Sequence, residues 1–430
     1  MSTSRSRVGV GGAVGAVVTV VAAALAVALV ACAVAGRFPL WLAGSPAPAR
    51  PHETAPRPAV TASPAPSPSS SPSPQPDRPA LSPEQMAGQR VIYSYSGLTP
   101  PARLLRLIRH GDVGGVIFFG QNVTSSAQLA SVIAELDQAN ASALNPVREP
   151  LLLMTDQEGG LVRRLPGAPL LSEKQIGESA DPAAAAASAG AGAGLNLRGI
   201  GLNVNLAPVL DVYRQAGDFD DQFQRSYSMN AAVVAELGAQ FITAQQREGV
   251  AATAKHFPGL GAAAQSQDTD NVPVTLNLSL ATIRNVDELP YQAAIAAGVR
   301  LIMVSWAVYP ALDPGRPAGL SARIVGGELR QRLKFTGVTI TDALEAGALR
   351  AYGTYQNRAL LAAEAGMDLV LCSVQNVGEG EQAAAGLEAG YRDGALSHQQ
   401  FAAALQRVMA LRASLAGLPG LTLADPGLPD

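Results

Sequence analysis

The sequence predicts an α/β fold, a (β/α)8 barrel of the TIM type, on three observations. Eight short apolar runs, at 91–95, 115–119, 151–155, 202–206, 250–254, 301–305, 338–341 and 368–372, follow one another along the chain. Between them lie alanine-rich amphipathic segments such as 127–139, 183–198, 231–248, 280–297 and 356–365. Charged residues gather where the apolar runs end, which is where such a barrel keeps its chemistry. Parallel strands covered on both faces read as continuous apolar runs, and several of these do. A doubly wound open sheet would show the same alternation; eight strands with polar ends favour the barrel.

The elements in chain order begin with an export signal. Arg5 and Arg7 precede an apolar run from 8 to 36 that no charge interrupts. About twenty apolar residues span a bilayer as helix, so the run is long enough to cross. Within it Leu29-Val30-Ala31-Cys32 resembles a bacterial lipobox, in which Cys32 would carry lipid. Residues 1–36 are therefore expected to be a signal or membrane anchor, either uncleaved or trimmed to a lipoprotein. The positive flank places the start in the cytoplasm and the body outside. From 37 to 81 the chain turns to Pro, Ser and Ala, with Ser67-Pro68-Ser69-Ser70-Ser71-Pro72-Ser73-Pro74 at the centre. Proline removes donors and fixes φ, so a disordered linker without a packed core is expected. At about 3 Å per residue it could hold a domain on the order of 100 Å from a membrane. The barrel is expected over 82–418, followed by a short tail over 419–430.

Composition narrows the rest. A formal charge of −3 and a pI near 5.9 argue against nucleic acid as a partner. Cys32 and Cys372 lie in unlike segments, so no disulfide framework is expected. The four histidines and two cysteines show no metal-ligand spacing, so neither a metal nor a cofactor is expected.

Motifs close the predicted strands. Asp156-Gln157-Glu158-Gly159-Gly160 ends the third, and Leu206-Ala207-Pro208-Val209-Leu210-Asp211-Val212 follows the fourth, with Arg225-Ser226-Tyr227 in the next loop. Lys255-His256-Phe257-Pro258-Gly259 ends the fifth, and Ile340-Thr341-Asp342 the seventh. Together and in this order they resemble family 3 glycoside hydrolases, in particular single-domain β-N-acetylglucosaminidases, from about Ser82 to Ala416.

That resemblance implies roles. Asp342 matches the nucleophile that forms a covalent glycosyl-enzyme; taken alone, it could equally cap a helix opened by Ala343-Leu344-Glu345, with Glu345 in its first turn. Asp156 matches a sugar-hydroxyl acceptor, or else caps the Gly159-Gly160 turn. Arg164, Arg225, Lys255 and His256 match sugar-contacting positions. Cations there would keep the neighbouring carboxylates ionised. Arg163, beside Arg164, is the weaker candidate of the two. Trp306 stands where relatives carry histidine, and is either a platform for a pyranose face or a loop-capping aromatic.

One part is replaced. The resemblance calls for an Asp-x-His acid/base pair shortly after the Lys-His motif, yet those positions fall on Ser266 and Asp268, and no histidine lies between His256 and His398. Asp268 or Asp270 could substitute if burial raised its pKa, or both could be ordinary loop aspartates. His110 reads as a helix end, His398 as a helix start, and His52 lies in the linker. The resemblance thus implies a glycosidase that releases terminal β-linked N-acetylglucosamine from cell-wall muropeptides or related glycans, which the N-terminal run would export and tether, and a monomer is expected; the alternative is a sugar-binding protein that lost proton transfer.

Overall fold

The computed structural model describes residues 80–416. The expected anchor, nearly all of the linker, Cys32 and the tail lie outside these residues. No helix among the described residues is long and apolar enough to cross a membrane.

Eight parallel strands close into a barrel: β1 (Val91–Tyr93), β2 (Gly115–Ile117), β3 (Leu152–Thr155), β4 (Val204–Asn205), β5 (Ala251–Phe257), β6 (Leu301–Val304), β7 (Val338–Ala343) and β8 (Leu369–Leu371). Each pairs with its neighbours in sequence, and β1 pairs with β8 through Val91↔Val370 and Ile92↔Leu371. The fold expected from the apolar runs is therefore the one observed. Its cause is visible in the burial. Leu152, Met154, Leu301, Met303, Val338 and Ile340 fill the barrel interior. Their neighbours Leu153, Ile302 and Val304 face outward and pack under helices. Both faces of each strand are removed from water, so apolar residues run without alternation.

Two strands run past their expected ends, and both matter to the site. β5 continues through Lys255 and His256 to Phe257, with a register shift against β6 after Ala254. β7 likewise runs through Asp342 to Ala343. The helix expected over 280–297 is also divided, into Leu280–Thr282, a π-helical turn at Ile283–Asp287, and Leu289–Ala296. Pro290 cannot donate to the preceding turn, so a uniform α-helical ladder cannot pass through it.

The last helix, His398–Leu415, lies across the N-terminal end of the barrel. Its Val408 and Leu411 join the interior cluster. Arg412 donates to the carbonyls of Glu149 and Pro150 just before β3, and Arg407 grips Asp368 just before β8, with Nη2 2.7 Å from Oδ1. One end is sealed, leaving the C-terminal strand ends to open outward.

Candidate active site

A cavity of about 330 Å³ opens at the C-terminal ends of the strands. Asp156, Arg164, Arg225, Lys255, His256, Asp268, Asp270 and Asp342 all line it. Residues separated by up to 186 positions of sequence (342 minus 156) meet there because each ends or follows a strand.

The floor is an ion-pair network. Lys255 is 2% exposed, with Nζ 2.8 Å from Asp156 Oδ1 and 2.7 Å from Glu158 Oε1. Arg225 donates to Glu158 in bidentate fashion, Nε and Nη2 each 2.9 Å from a carboxylate oxygen. Arg164 approaches Asp156 at 3.7 Å. Burial alone would push the Glu158 carboxyl up, but Arg225 and Lys255 hold it down at about 2. Asp156 is likewise lowered against its burial by Lys255 and Arg164. Burial would lower the Lys255 ammonium, yet Asp156 and Glu158 raise it. These charges fix one another, and Asp156 still presents a face to the cavity. The Gly159-Gly160 turn it was alternatively expected to cap is built by backbone instead: Gly159 sits at φ 117°, and a Cβ there would come within 2.2 Å of the Leu171 carbonyl oxygen.

His256 is oriented from behind. Its Nδ1 lies 2.7 Å from Asp211 Oδ2, whose other oxygen accepts the Leu260 backbone N–H at 2.5 Å. Burial would lower the imidazolium, but the Asp211 carboxylate raises its pKa. The turn that returns the chain to Leu260 needs Gly259 at φ 140°, where a Cβ would meet Asp287 Cβ at 2.7 Å.

Asp342 stands on the rim of β7, half-buried, with Oδ1 accepting the Ala343 backbone N–H at 2.8 Å. No helix starts there. The next helical turn is a 3-10 segment at Gly347–Tyr352, so the cap expected as an alternative for Asp342 does not describe it. Nor does Glu345 serve a first helical turn. It accepts from the Ser373 hydroxyl at 2.7 Å and adjoins Glu379.

The loop aspartates part company. Asp268 folds its own loop: Oδ1 accepts the Asp270 N–H at 2.9 Å and Oδ2 the Asn271 side-chain amide at 2.5 Å. Asp270 is held by backbone, its carbonyl accepting from Gly347 N–H at 2.7 Å, and its carboxyl faces the cavity. Asp270 is exposed to solvent at the cavity mouth, yet the surrounding protein first, then the nearby Asp342 and Asp268 carboxylates, push it up to about 7.

Trp306 is wholly buried and does not line the cavity. Of its two expected roles, the platform is excluded for lack of a free face. Its indole N–H donates to the Ala343 carbonyl at 2.8 Å, supporting the backbone beside Asp342. Gly319 makes room for the ring, since a Cβ there would lie 2.5 Å from Cζ3. Arg163 turns away to the Gly167 carbonyl.

Glu379, 2% exposed, is a further buried carboxyl near the site, pushed up to about 9 by burial and then by Glu345. The folded state thus keeps a proton that the unfolded chain releases near 4.5, so this group reduces stability as pH rises from there towards 9. Glu379→Gln stays neutral and keeps an acceptor for the Val374 N–H. It is expected to stabilise the protein at pH 8 by about 1–3 kcal/mol and to leave it unchanged at pH 4, read as Tm across that range.

Among the described residues one group, Asp211, Asp220 and His256, brings possible metal ligands within 4.8 Å of one another. Asp211 already takes the imidazole and two backbone N–H groups, and the Arg225 guanidinium lies 3.4 Å from Asp220 Oδ1. Asp211 and His256 thus engage each other, while Asp220 Oδ2 is buried without a hydrogen-bond partner.

Glu158, Asp211 and Asp220 were not singled out in the sequence reading. The signal for Glu158 was its place two residues from Asp156, the strand period that returns a side chain to the same face. Asp211 showed only as a lone carboxylate in an apolar motif, and Asp220 had no signal.

The family model of the glycosyl hydrolase family 3 N terminal domain matches residues 88–411. The chain belongs to glycosyl hydrolase family 3. Over 329 residues it is 46% identical to an uncharacterized secreted glycosyl hydrolase of Arthroderma benhamiae, covering 76% of this chain and 93% of that one. A β-hexosaminidase of Thioalkalivibrio sulfidiphilus is 33% identical over 275 residues, 62% of this chain and 75% of that one. Among solved structures, the family 3 β-N-acetylglucosaminidase of Paenibacillus sp. str. FPU-7 superposes with a TM-score of 0.74 at 34% identity, over 82% of this chain and 66% of that chain. The β-N-acetylhexosaminidase of Beutenbergia cavernae gives 0.70 at 32%, over 78% and 99%. This family 3 member is a glycosidase of the β-hexosaminidase-like type, and the ordered motifs in its sequence identified the family correctly.

Proposed function

We propose that this glycosidase releases terminal β-linked N-acetylglucosamine from cell-wall muropeptides or related glycans, as an exported and membrane-tethered enzyme. Asp342 attacks the anomeric carbon, and the resulting glycosyl-aspartate is hydrolysed with retention. Asp270 protonates the leaving oxygen, then takes the proton from the attacking water. Asp156 and the Lys255–Glu158–Arg225 network bind sugar hydroxyls. A sugar lacking one of those hydroxyls would leave a buried charge unpaired.

One observation carries the reading: two carboxyls with unlike surroundings, Asp342 and Asp270, face one cavity, and Asp270 is raised to about 7. Divergent environments of this kind are how a site separates its nucleophile from its acid. Export is supported by the secreted relative and by the positively flanked apolar run at 8–36. Tethering rests on that run alone.

The test is direct. The protein is mixed with 4-nitrophenyl β-N-acetylglucosaminide and quenched in acid. Mass spectrometry should find an N-acetylglucosaminyl adduct on the peptide that carries Asp342, and NMR should find the β-anomer released first. A second reading, a sugar-binding protein without turnover, draws on the histidine-free loop at 265–271. Sugar binding with neither adduct nor product would establish it.

A further inference from the structure

The charged floor occupies only part of the cavity. Apolar side chains line it as well, among them Phe119, Val162, Leu260, Phe219 and Phe223. Phe223 is the unusual member: it is 43% exposed, although a phenyl ring gains from leaving water. Isolated exposed apolar residues are ordinary. This one, however, lines the cavity that holds the candidate catalytic carboxyls, and it is held in place.

Three observations show how it is held. Phe219 packs edge-on against it, with centroids 5.7 Å apart and planes at 78°. The short helix Phe219–Gln222 is tied to the loop following Gly259, through Phe219 N–H to the Ala263 carbonyl at 2.9 Å and Gln222 Nε2 to the Gln265 carbonyl at 3.1 Å. Gln224, next in sequence, sits at φ 58°, a region that residues other than glycine rarely adopt. Its side chain accepts from the Ser172 hydroxyl at 3.1 Å, and its carbonyl accepts from Lys174 N–H at 3.3 Å. Such strain persists where surrounding contacts over-determine it, and it concentrates at binding sites. Here it directly follows the exposed phenyl ring that lines the cavity.

We infer that Phe223, backed by Phe219, is the platform for the leaving group, and that this leaving group is itself a pyranose. The inference rests on the glycosidase reading of the same cavity. The ionic floor recognises hydroxyls of the non-reducing sugar that Asp342 captures, whereas a fixed aromatic face suits the ring C–H groups of the departing one. Short alkyl aglycones gain little from such a face, so the preferred substrates are β-linked oligosaccharides.

The experiment uses the full-length chain carrying Asp342→Asn, so that ligands bind without turnover, and titrates it calorimetrically with N,N′-diacetylchitobiose and with N-acetylglucosamine. Adding Phe223→Ala should weaken the disaccharide about tenfold and the monosaccharide by a clearly smaller factor. Phe223→Tyr should restore disaccharide binding and Phe223→Leu should not, because the ring rather than bulk apolar surface is required. Equal losses for both ligands, or leucine performing as well as tyrosine, overturn the platform while leaving the glycosidase reading intact. If neither ligand binds the Asp342→Asn parent, the sugar site and the platform fall together.

Discussion

Asp342→Asn is expected to lower kcat/KM on aryl and natural glycosides by on the order of 10⁴-fold or more. The amide is nearly isosteric but is not a nucleophile, so the covalent step has no attacking group. The fold should be untouched. The Asp342 carboxylate makes one recorded hydrogen bond, from the Ala343 N–H at 2.8 Å, and an asparagine oxygen can accept the same donor. Tm should therefore shift by no more than about 2 °C, and the acid-quenched adduct should vanish. Normal turnover in a correctly folded Asp342→Asn protein would remove the nucleophile assignment altogether.

The second large effect concerns Asp270. As a general acid it must carry its proton when the glycosidic bond breaks, so activity should fall as pH rises through about 7. Asp270→Asn should erase that alkaline limb. On a disaccharide it should lower kcat/KM by about 10²–10⁴-fold. On 4-nitrophenyl β-N-acetylglucosaminide bond cleavage needs little protonation, so glycosylation should survive while hydrolysis of the intermediate slows. A burst of nitrophenol followed by slow turnover is the expected trace, and added azide should accelerate the slow phase by attacking without base help. Asp268→Asn serves as the contrast. Its oxygens are engaged with Asp270 N–H and Asn271, so its substitution should loosen the loop and not move the alkaline limb. Should the limb persist in Asp270→Asn, the proton comes from another group.

The barrel could be read from the chain because burial on both faces writes itself into composition. Runs such as Leu301–Val304 have no polar face to confuse the signal. The site could be read where a charge sits at the end of such a run, as at Lys255, His256 and Asp342. Legibility failed where a role depends on what a side chain meets from a distant strand. Asp211 orients His256 across 45 positions of sequence, and Glu158 is neutralised by Arg225 across 67. Neither pairing has a local pattern. Trp306 could be taken for a platform because an aromatic at a strand end looks the same whether it faces the cavity or packs beneath Ala343. Asp268 and Asp270 were inseparable as letters; the turn that consumes one carboxylate and spares the other exists only in three dimensions.

The helix drawn across the closed end has a consequence for how the molecule comes to exist. β1 finds its second partner only when β8 has been made, and Leu301, Val338 and Leu369 stay open to water until Val408 and Leu411 arrive. A chain made from its amino terminus must therefore keep an unfinished cylinder soluble almost to its last helix. A nascent form stopped before β8 would present two unsatisfied edges, and one stopped short of residue 398 an oily bore, an invitation to aggregate or to be degraded.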